Sequence, residues 1–479
     1  MAKLGDMPEA SLDDIPFERA LHYACRDADG TARVKPQLAT RLDAMGLRDV
    51  YRLELDTYHL IDRMMMVGVK PDLAHFAELS FKLQGEIEDI QYRLEKATGR
   101  DSFNANSGDQ VEDYLFGTLG LPSEKKTKGG QYSTNDIILE GLEKAYGLTY
   151  PVIGDIRAYR ETYKLKNTFV DRIPDFVHRW PFDGRVHATF RTTRVVTGRL
   201  AASNPNLLAQ PEHGKFAKDF KRGWVADDGH VLGAWDESQI ELRVLAHLSQ
   251  DPVLLAAYRE GRDLHAALAV RIFGGIEADH KKGTGRLAAK AINFGIPMGM
   301  QAQGLALQLK KNGLVDIDED DAQKWLDETA ALYKRVVAYK ASRISEARRQ
   351  GYIRCLSGRI RYIGGIRSWD EATRAEAERF AFSTPIQEGA QWIMKAAEAR
   401  VWRDVIRPLQ RSGYWIEPLM QVHDCLKLEM DESLAPDVHA LMVWAMTKAV
   451  DGMISVPLAV EGEYGLNFAE MEDFNEHND

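Results

Sequence analysis

The chain has 479 residues, enough for two to four subdomains, and its 44% hydrophobic and 28% charged residues are typical of a folded globular protein. It has no run of about 18 apolar residues, so no membrane span is predicted, and its polar, acidic first residues are not typical of a signal or transit peptide. The three cysteines, Cys25, Cys355 and Cys425, are spaced too widely for a disulfide framework or a zinc motif, which favours a reducing, cytoplasmic location.

The net charge of −10 argues weakly against a nucleic-acid ligand, but the charge is unevenly distributed. Residues 151–222 contain 14 lysines and arginines against 7 aspartates and glutamates, whereas residues 316–321 and 470–479 are acidic. A basic region inside an acidic chain is compatible with a solvated surface and equally with a surface that meets phosphates.

In the first part of the chain, residues 52–67 are predicted to be helical, and a turn at residues 67–72 precedes a long amphipathic helix. The apolar residues of this helix recur at helical spacing: Leu79, Leu83, Ile87, Ile90 and Leu94. The polar segment 122–136 follows, with Lys125, Lys126 and Lys128. These lysines fit simple solvation, and they fit contact with a phosphate backbone as well.

In the second part, short strands alternate with long helical regions. Helix is predicted over residues 238–273 and dominates to about Arg403. A strand–turn–strand is predicted from Tyr414, and other strand patterns occur at residues 184–193, 230–235, 351–363 and 456–465. This order predicts an α+β fold, with a small antiparallel sheet and two helical excursions.

Asp236 follows the apolar strand 231–235, and Glu237 comes next. A buried strand fixes the backbone while the carboxylate at its end meets solvent, which suits a metal ligand. Capping of the helix that follows explains the same aspartate about equally well.

The segment "GRLAAKAINFGIPMGM" (residues 285–300) places Arg286, Lys290 and Phe294 four residues apart, on one helical face. Two cations at this spacing repel unless an anion lies over them, and a triphosphate with its sugar or base beside the ring would fit. The alternative is a solvated basic helix. The glycine pattern is not that of a Walker A loop.

The segment "QVHDCLKLEM" (residues 421–430) alternates like a strand and places Asp424 at a predicted hairpin tip. Carboxylates at Asp236 and Asp424 could together hold two Mg²⁺ ions about 4 Å apart. Because Mg²⁺ keeps much of its water and takes only one or two protein carboxylates, no third acid is required.

In chain order, these segments resemble motifs A, B and C of the family A DNA polymerases, typified by bacterial DNA polymerase I: "DESQIELRVLAHLS", "RLAAKAINFG" and "QVHDCL". Three further segments are similar to the family: "TGRLAASNPNL", "GYIRCLSGRIRYI" and "ERFAFSTPIQEGAQ". The resemblance runs from about Leu53 to Phe468, and six motifs in collinear order are specific.

The resemblance implies an α+β fold shaped like a right hand, with a small antiparallel palm sheet and mostly helical fingers and thumb. The implied domains are the end of a 3′–5′ exonuclease domain (1–50), a segment leading into the palm (51–78), thumb (79–170), palm with motif A (171–260), fingers with motif B (261–395) and palm with motif C (396–479).

The implied function is template-directed addition of dNTPs to a primer 3′-OH on primer–template DNA, in phage DNA replication. It would use two Mg²⁺ ions, with Mn²⁺ as a substitute. The metal ligands would be Asp236, Asp424 and Glu237, and Lys290 would donate a proton to the leaving pyrophosphate.

The resemblance also implies roles for residues at matching positions. Glu241 would be a steric gate against ribonucleotides. The presence of a phenylalanine at position 294, rather than a tyrosine, predicts poor incorporation of dideoxynucleotides. The nucleotide-binding set is Arg286, Lys290, Phe294, Gln239, Glu241, His265 and Met298. The DNA-binding set, with sequence-independent contacts, is Arg199, Asn206, Arg379, Gln387, His423, Lys125, Lys126 and Lys128.

Three positions depart from the family pattern: Cys425 replaces a glutamate, Met298 a tyrosine and Ser383 an asparagine. A thiol is a poor Mg²⁺ ligand, and the departures together predict an active enzyme with altered fidelity. Tyr23 and Asp27 resemble the last catalytic pair of the exonuclease domain. No segment upstream of them supplies the other acidic motifs of that domain, so this chain is expected to lack proofreading. Either a separate exonuclease polypeptide docks on residues 1–50, which the presence of both Tyr23 and Asp27 favours, or the segment is a structural relic.

Two other interpretations remain open. One is a non-catalytic DNA-binding or accessory subunit with a polymerase fold, which retention of Asp236, Asp424, Arg286 and Lys290 disfavours. The other is a phage-type RNA polymerase, which Glu241 disfavours because it should exclude ribonucleotides. If the chain is phage-encoded, its location would be the cytoplasm of the infected bacterium.

Overall fold

The computed structural model describes residues 15–123, 126–127, 129–212, 214–273, 284–311 and 317–474, and within these the side chains of all but Phe273, Thr284, Pro297, Met298 and Lys311. The chain forms two compact units. Unit 1 comprises Met1–Tyr58, Glu241–Ala396 and Gly452–Pro457, and unit 2 comprises His59–Ile240, Ala397–Asp451 and Leu458–Asp479.

The described part of the chain is mostly helical. Its α-helices are α1 (Phe17–Met45), α2 (Arg48–Val67), α3 (Leu73–Thr98), α4 (Gly108–Glu112), α5 (Asp136–Tyr146), α6 (Val152–Lys164), α7 (Ile173–Arg179), α8 (Ala217–Arg222), α9 (Ile240–Ser249), α10 (Pro252–Arg259), α11 (Leu264–Phe273), α12 (Thr284–Met298), α13 (Ala302–Lys311), α14 (Glu319–Leu332), α15 (Lys334–Gln350), α16 (Glu371–Val401), α17 (Arg407–Arg411) and α18 (Ala435–Thr447). Short π-helical segments (Asp113–Thr118, Leu165–Phe169, Trp402–Ile406) and 3₁₀ turns (Val170–Arg172, Leu207–Ala209, Glu432–Leu434) continue or join them.

The strands are β1 (Thr189–Arg191), β2 (Ala201–Ser203), β3 (His230–Glu237), β4 (Tyr352–Arg354), β5 (Ile360–Tyr362), β6 (Ile416–Val422), β7 (Cys425–Asp431), β8 (Val460–Gly465) and β9 (Glu472–Asp473). The pairs β1–β2 and β4–β5 are small hairpin-like ladders, and the other strands form one antiparallel sheet in the order β6-β7-β3-β8-β9. The predicted α+β class with a small antiparallel sheet is confirmed.

Helix α3 in unit 2 has the predicted amphipathic pattern. The Asp72 side chain accepts a hydrogen bond from the backbone N–H of His75 at 2.9 Å and begins the helix, and Gly99, in the left-handed conformation, ends it. Its inward residues are all buried: Phe76, Leu79, Leu83, Ile87, Ile90 and Leu94. Burial of one such side chain contributes about 1.5–3 kcal/mol, so this stripe fixes the helix on its core.

In the five-stranded sheet of unit 2, the edge strand β6 is buried along its whole length and the central strand β3 is buried from Val231 to Trp235. Beneath it, the buried Arg185 guanidinium pairs with Glu429 at 2.6 Å and with Asp227 at 2.8 Å. The opposite charges of Arg185 and the fully buried Glu429 compensate each other, because an unpaired buried charge is costly. Because Glu429 belongs to β7 and Asp227 precedes β3, these pairs tie β7 to the segment that leads into β3.

In unit 1, helices α11, α12, α13 and α14 share an apolar core that includes Leu268, Ile292 and Leu305. The helical region predicted over residues 238–273 consists of three helices, α9, α10 and α11. The Asp251 side chain accepts a hydrogen bond from the Val253 N–H at 3.0 Å and caps α10, which begins at Pro252, and Gly261, at φ 64°, precedes α11. Proline at the first helical position and glycine with positive φ are both helix-boundary signals.

Helix α1, also in unit 1, has 29 residues, none of them buried. Its apolar residues Phe17, Leu21, Val34 and Leu38 are each about half exposed or more. Among the described residues, no helix is both long enough and apolar enough to span a bilayer.

Candidate active site

The end of β3 in unit 2 presents Asp236 on one face of the sheet, because alternate residues of a strand point to opposite faces. Asp236 is paired with Cys425 of β7 on one side and with Glu461 of β8 on the other. Two residues earlier in β3, and therefore on the same face, Ala234 is paired with Lys427 of β7 and with Glu463 of β8. These same-face residues line a cavity of about 490 Å³, together with Asp424, His423, Glu212 and Lys221.

Asp424 lies in a two-residue turn that joins β6 to β7, since Val422 pairs with Cys425 across it. His423, the first residue of the turn, has φ 57°, a conformation that histidine tolerates better than β-branched residues do. The Gln421 side chain donates a hydrogen bond to the His423 carbonyl at 2.7 Å, and the Glu237 N–H donates to the Asp424 carbonyl at 3.1 Å. The turn is therefore tied to the end of β3, where Asp236 lies.

The electrostatics of the cavity disfavour two ionised aspartates without a cation. Partial burial, then the negative charges of Asp424 and Glu461, raise the pKa of Asp236 to about 6. Burial also raises the pKa of Asp424, against the opposing effect of the His423 and Arg199 charges. A divalent cation between these carboxylates would remove the repulsion, and oxygen donors are the ligands that Mg²⁺ prefers. The residues present therefore fit a magnesium centre.

Cys425 lies beside this pair. Burial raises the pKa of its thiol to about 12, and the nearby carboxylates, of which Asp236 contributes most, act in the same direction. The thiol is therefore protonated at neutral pH, and a protonated thiol is not a ligand for a hard cation.

The prediction of Glu237 as a metal ligand is not supported by its position. Glu237 is the last residue of β3 and points to the face opposite Asp236, where it is only 2% exposed. It does not line the cavity. Strand alternation separates two acidic residues that are adjacent in the sequence.

In unit 1, α12 carries Arg286, Lys290 and Phe294 on one face, as predicted. Lys290 lies over the Phe294 ring, with its Nζ 5.7 Å from the centroid, and is exposed. Arg286 is paired: its Nε and Nη2 donate to Oδ2 of Asp263 at 2.9 and 2.7 Å.

His265, on α11, packs against this face from within unit 1. Its ring lies 5.7 Å from that of Phe294, and its Nδ1 lies 3.0 Å from the side-chain nitrogen of the fully buried Asn293. Burial, together with the Arg286 and Lys290 charges, lowers the pKa of His265 to about 4. His265 is therefore a neutral, fixed ring at physiological pH.

The other predicted residues are spread over both units. In unit 2, Gln239 has φ 53° in the turn after β3, Arg199 is partly buried, and Asn206 uses its side chain to cap the short helix that follows it. Lys126, also in unit 2, lies 5.0 Å from the Tyr132 ring centroid.

In unit 1, Glu241 in α9 and Arg379 and Gln387 in α16 are partly exposed, while Ser383 is buried. Lys125, Lys128 and the side chain of Met298 lie outside the described residues.

Sequence reasoning missed several charged residues of the site. Glu461 and Glu463 occupy alternate positions of the predicted last strand, so the strand period alone would have placed both on one face. Asp263 precedes a helix as a cap does, but the sequence gives no signal that it pairs with a residue 23 positions away.

A second acidic group in unit 2, outside the cavity, combines Asp227, His230 and Glu429, whose ligand atoms lie within 4.8 Å of one another. Arg185 pairs with both carboxylates, and Lys70 pairs with Asp227 at 2.6 Å. Two cationic side chains already neutralise this group, so it is a structural ion-pair network.

Comparison with known proteins assigns this geometry to a family. The model of DNA polymerase family A matches residues 73–470. The chain belongs to DNA polymerase family A. The DNA polymerase I of Chloroflexus aurantiacus is 36% identical over 97% of this chain and 48% of its own length, and the thermostable DNA polymerase I of Thermus thermophilus is 38% identical over 85% and 46%.

The chain thus spans about half the length of these family A relatives. A solved structure, the POL domain of Pol1 from M. smegmatis in complex with DNA primer-template and dNTP, superimposes with a TM-score of 0.81 at 31% identity, covering 90% of this chain and 73% of that one. The predicted family and right-hand fold are therefore confirmed.

Proposed function

We propose that this chain is a template-directed DNA polymerase that adds dNTPs to a primer 3′-OH. The observation that carries the proposal is the pairing of Asp236, at the end of β3, with the β6–β7 turn that holds Asp424, so that both carboxylates line one cavity. Family membership and the names of the relatives support the same reaction class.

Asp236 and Asp424 would hold two Mg²⁺ ions, or Mn²⁺ in their place. When bound, such ions lower the pKa of the primer hydroxyl and neutralise charge on the transferred phosphate. The chain's own contribution is to fix both carboxylates by the β3–β7 register and by the turn. The protonated Cys425 thiol takes no part, so Asp236 and Asp424 are the carboxylates of these two motifs that would bind the metal ions.

The α12 face would bind the nucleotide. Arg286 and Lys290 would neutralise the triphosphate, since a guanidinium and an ammonium suit phosphate oxygens, and Lys290 would protonate the leaving pyrophosphate. Phe294, supported by the neutral His265 ring, would give the sugar or base a flat apolar surface. Glu241 would exclude a 2′-hydroxyl, with Gln239 and Met298 completing the nucleotide site.

Primer–template DNA would contact both units through backbone and minor-groove interactions without sequence preference. The residues proposed for these contacts are Arg199, Asn206, Arg379, Gln387, His423, Lys125, Lys126 and Lys128. The palm, fingers and thumb boundaries given by the sequence are part of the same proposal.

A role in phage replication, a cytoplasmic location and a separate exonuclease on residues 1–50 remain predictions. The last would place the exonuclease on α1, none of whose residues is buried. Co-purification from the native host would test it.

Primer extension with dNTPs and then with rNTPs tests the proposed function. The wild-type protein should extend with dNTPs only, and Asp424→Asn should lose on the order of a hundredfold or more of the rate. Asp451→Asn, at an exposed residue paired with Lys448, is the matched control. DNA binding without extension would indicate an accessory subunit, and extension with rNTPs would indicate an RNA polymerase.

A further inference from the structure

Arg286 meets an anion within its own unit. Its Nε and Nη2 both donate to a single carboxylate oxygen, Oδ2 of Asp263, at 2.9 and 2.7 Å. The side chains are 25% and 38% exposed, so the pair lies at the surface, where a ligand could reach it. A guanidinium binds a phosphate through these same N–H groups, frequently with two parallel N–H···O bonds.

Asp263 is held in place by its other oxygen. Oδ1 accepts hydrogen bonds from the backbone N–H groups of His265 and Ala266 at 2.8 and 3.1 Å, and so caps the start of α11. Burial disfavours ionisation, but the Arg286 hydrogen bond and these backbone contacts lower the pKa of Asp263 below its ordinary value. The carboxylate is therefore ionised, and its two oxygens have separate partners.

Among the residues that the structure describes, Asp263 is the acidic side chain that pairs with Arg286. His265, beside it, is neutral, and Lys290, one helical turn along α12, is a second cation that lies over the Phe294 ring. Two cations and one carboxylate leave this face with a net positive charge. A ligand with several negative charges can engage both cations, whereas a singly charged one gains little over the carboxylate already present.

We propose that Asp263 occupies the phosphate position on Arg286 and competes with the nucleotide for it. This inference rests on the proposed function, in which Arg286 binds the triphosphate. Binding would exchange the Oδ2 contacts for phosphate oxygens, while Oδ1 continues to cap α11. Asp263 would keep Arg286 ordered between turnovers and would favour triphosphates over less highly charged nucleotides.

The test is titration of the full-length protein with inorganic tripolyphosphate by calorimetry, at fixed ionic strength. Asp263→Asn keeps an oxygen that can cap α11 and removes the charge that competes. It should tighten binding about two- to fivefold, the range expected for a partly exposed ion pair. In steady-state extension, the same variant should lower the KM for dNTP by a larger factor than it changes kcat.

Glu260→Gln is the matched control. Glu260, three residues earlier in the same loop, pairs with Arg262 at 2.7 Å and does not touch Arg286. Its loss removes the same charge from the same region and should change binding less than Asp263→Asn does. Equal tightening in both variants would mean a general field effect, and no tightening or weaker binding in Asp263→Asn would mean that Asp263 only positions Arg286; each result overturns the inference.

Arg286→Ala separates this inference from the proposed function. If Arg286→Ala weakens tripolyphosphate binding while Asp263→Asn does not tighten it, only the competition is wrong. If Arg286→Ala binds as well as wild type, Arg286 is no phosphate ligand, and both the competition and that part of the proposed function are wrong.

Discussion

Asp236 and Cys425 are directly paired across β3 and β7, so one proposed metal ligand has a thiol as its cross-strand neighbour. Because burial raises the pKa of Cys425 to about 12, the thiol should react slowly with alkylating agents at pH 8. The exposed Cys25 should be modified first. Mass spectrometry after timed treatment with iodoacetamide checks the order. Labelling of Cys425 as fast as Cys25 would indicate a thiolate beside Asp236.

Metal binding should depend on pH through Asp236. With a pKa of about 6, this carboxyl is ionised above pH 7 and increasingly protonated below pH 6. Mn²⁺ affinity should therefore be constant above pH 7 and fall by about tenfold per pH unit below 6, as for one competing proton. Electron paramagnetic resonance of free Mn²⁺ gives the affinity directly. A flat profile from pH 5 to 8 would contradict the assignment.

Asp236 should also lower stability when no metal is bound. Its folded pKa of about 6 exceeds the ordinary value of 3.8, so the folded state binds more protons, and stability is lost as pH rises from about 4 through 6. Asp236→Asn should then increase stability at pH 7.5 by about 1 kcal/mol, after allowing for solvent screening, and not at pH 4. Thermal melts at both pH values, with and without Mg²⁺, measure this. A lower Tm for the variant at pH 7.5 would refute it.

The buried pair of Arg185 and Glu429 should be essential to unit 2. Glu429→Gln leaves the Arg185 charge without its buried partner and should cost about 3–5 kcal/mol, seen as a lower Tm. The control is Glu470→Gln, which breaks the exposed pair with Arg222 and should cost less than about 1 kcal/mol. Zn²⁺ should not stabilise the wild-type protein through this network. Equal losses in the two variants would show that burial of the pair is unimportant.

Substitution of Glu241 tests how the protein distinguishes deoxyribonucleotides from ribonucleotides. Glu241→Ala should increase ribonucleotide incorporation at least about tenfold, because a methyl group leaves space for a 2′-hydroxyl and one lost contact is worth about 1–3 kcal/mol. Glu241→Gln keeps the size of the side chain and should keep the exclusion if it is steric. Single-nucleotide insertion of UTP against dTTP provides the ratio. Loss of exclusion in the glutamine variant would indicate a role for charge.

Local pattern was sufficient for much of the site. The apolar run before Asp236 predicted β3, and the alternation around Asp424 predicted the β6–β7 hairpin. The four-residue separation of Arg286 and Lys290 predicted that they share one helical face. Each depends on backbone periodicity, which neighbouring residues specify. The predicted spacing of α3 is confirmed for the same reason.

The exact end of an element and distant contacts are what the sequence does not specify. The apolar run predicted β3 to end at Trp235, whereas the strand continues to Glu237, which was predicted as a metal ligand but is buried and does not line the cavity. The pairing of Asp263 with Arg286 depends on how α11 and α12 pack, which the spacing along either helix does not specify.

The β6–β7 turn has two residues, and one of them is Asp424. Insertion of a residue there would shift β7 against β3 or lift the carboxylate off the sheet, and deletion would remove one of the two turn residues. Homologues should therefore vary freely in the identity of the turn's neighbours, as Cys425 illustrates, but not in the number of residues between the strands. For this hairpin, the length of the loop should be under selection as strong as that on the Asp424 side chain itself.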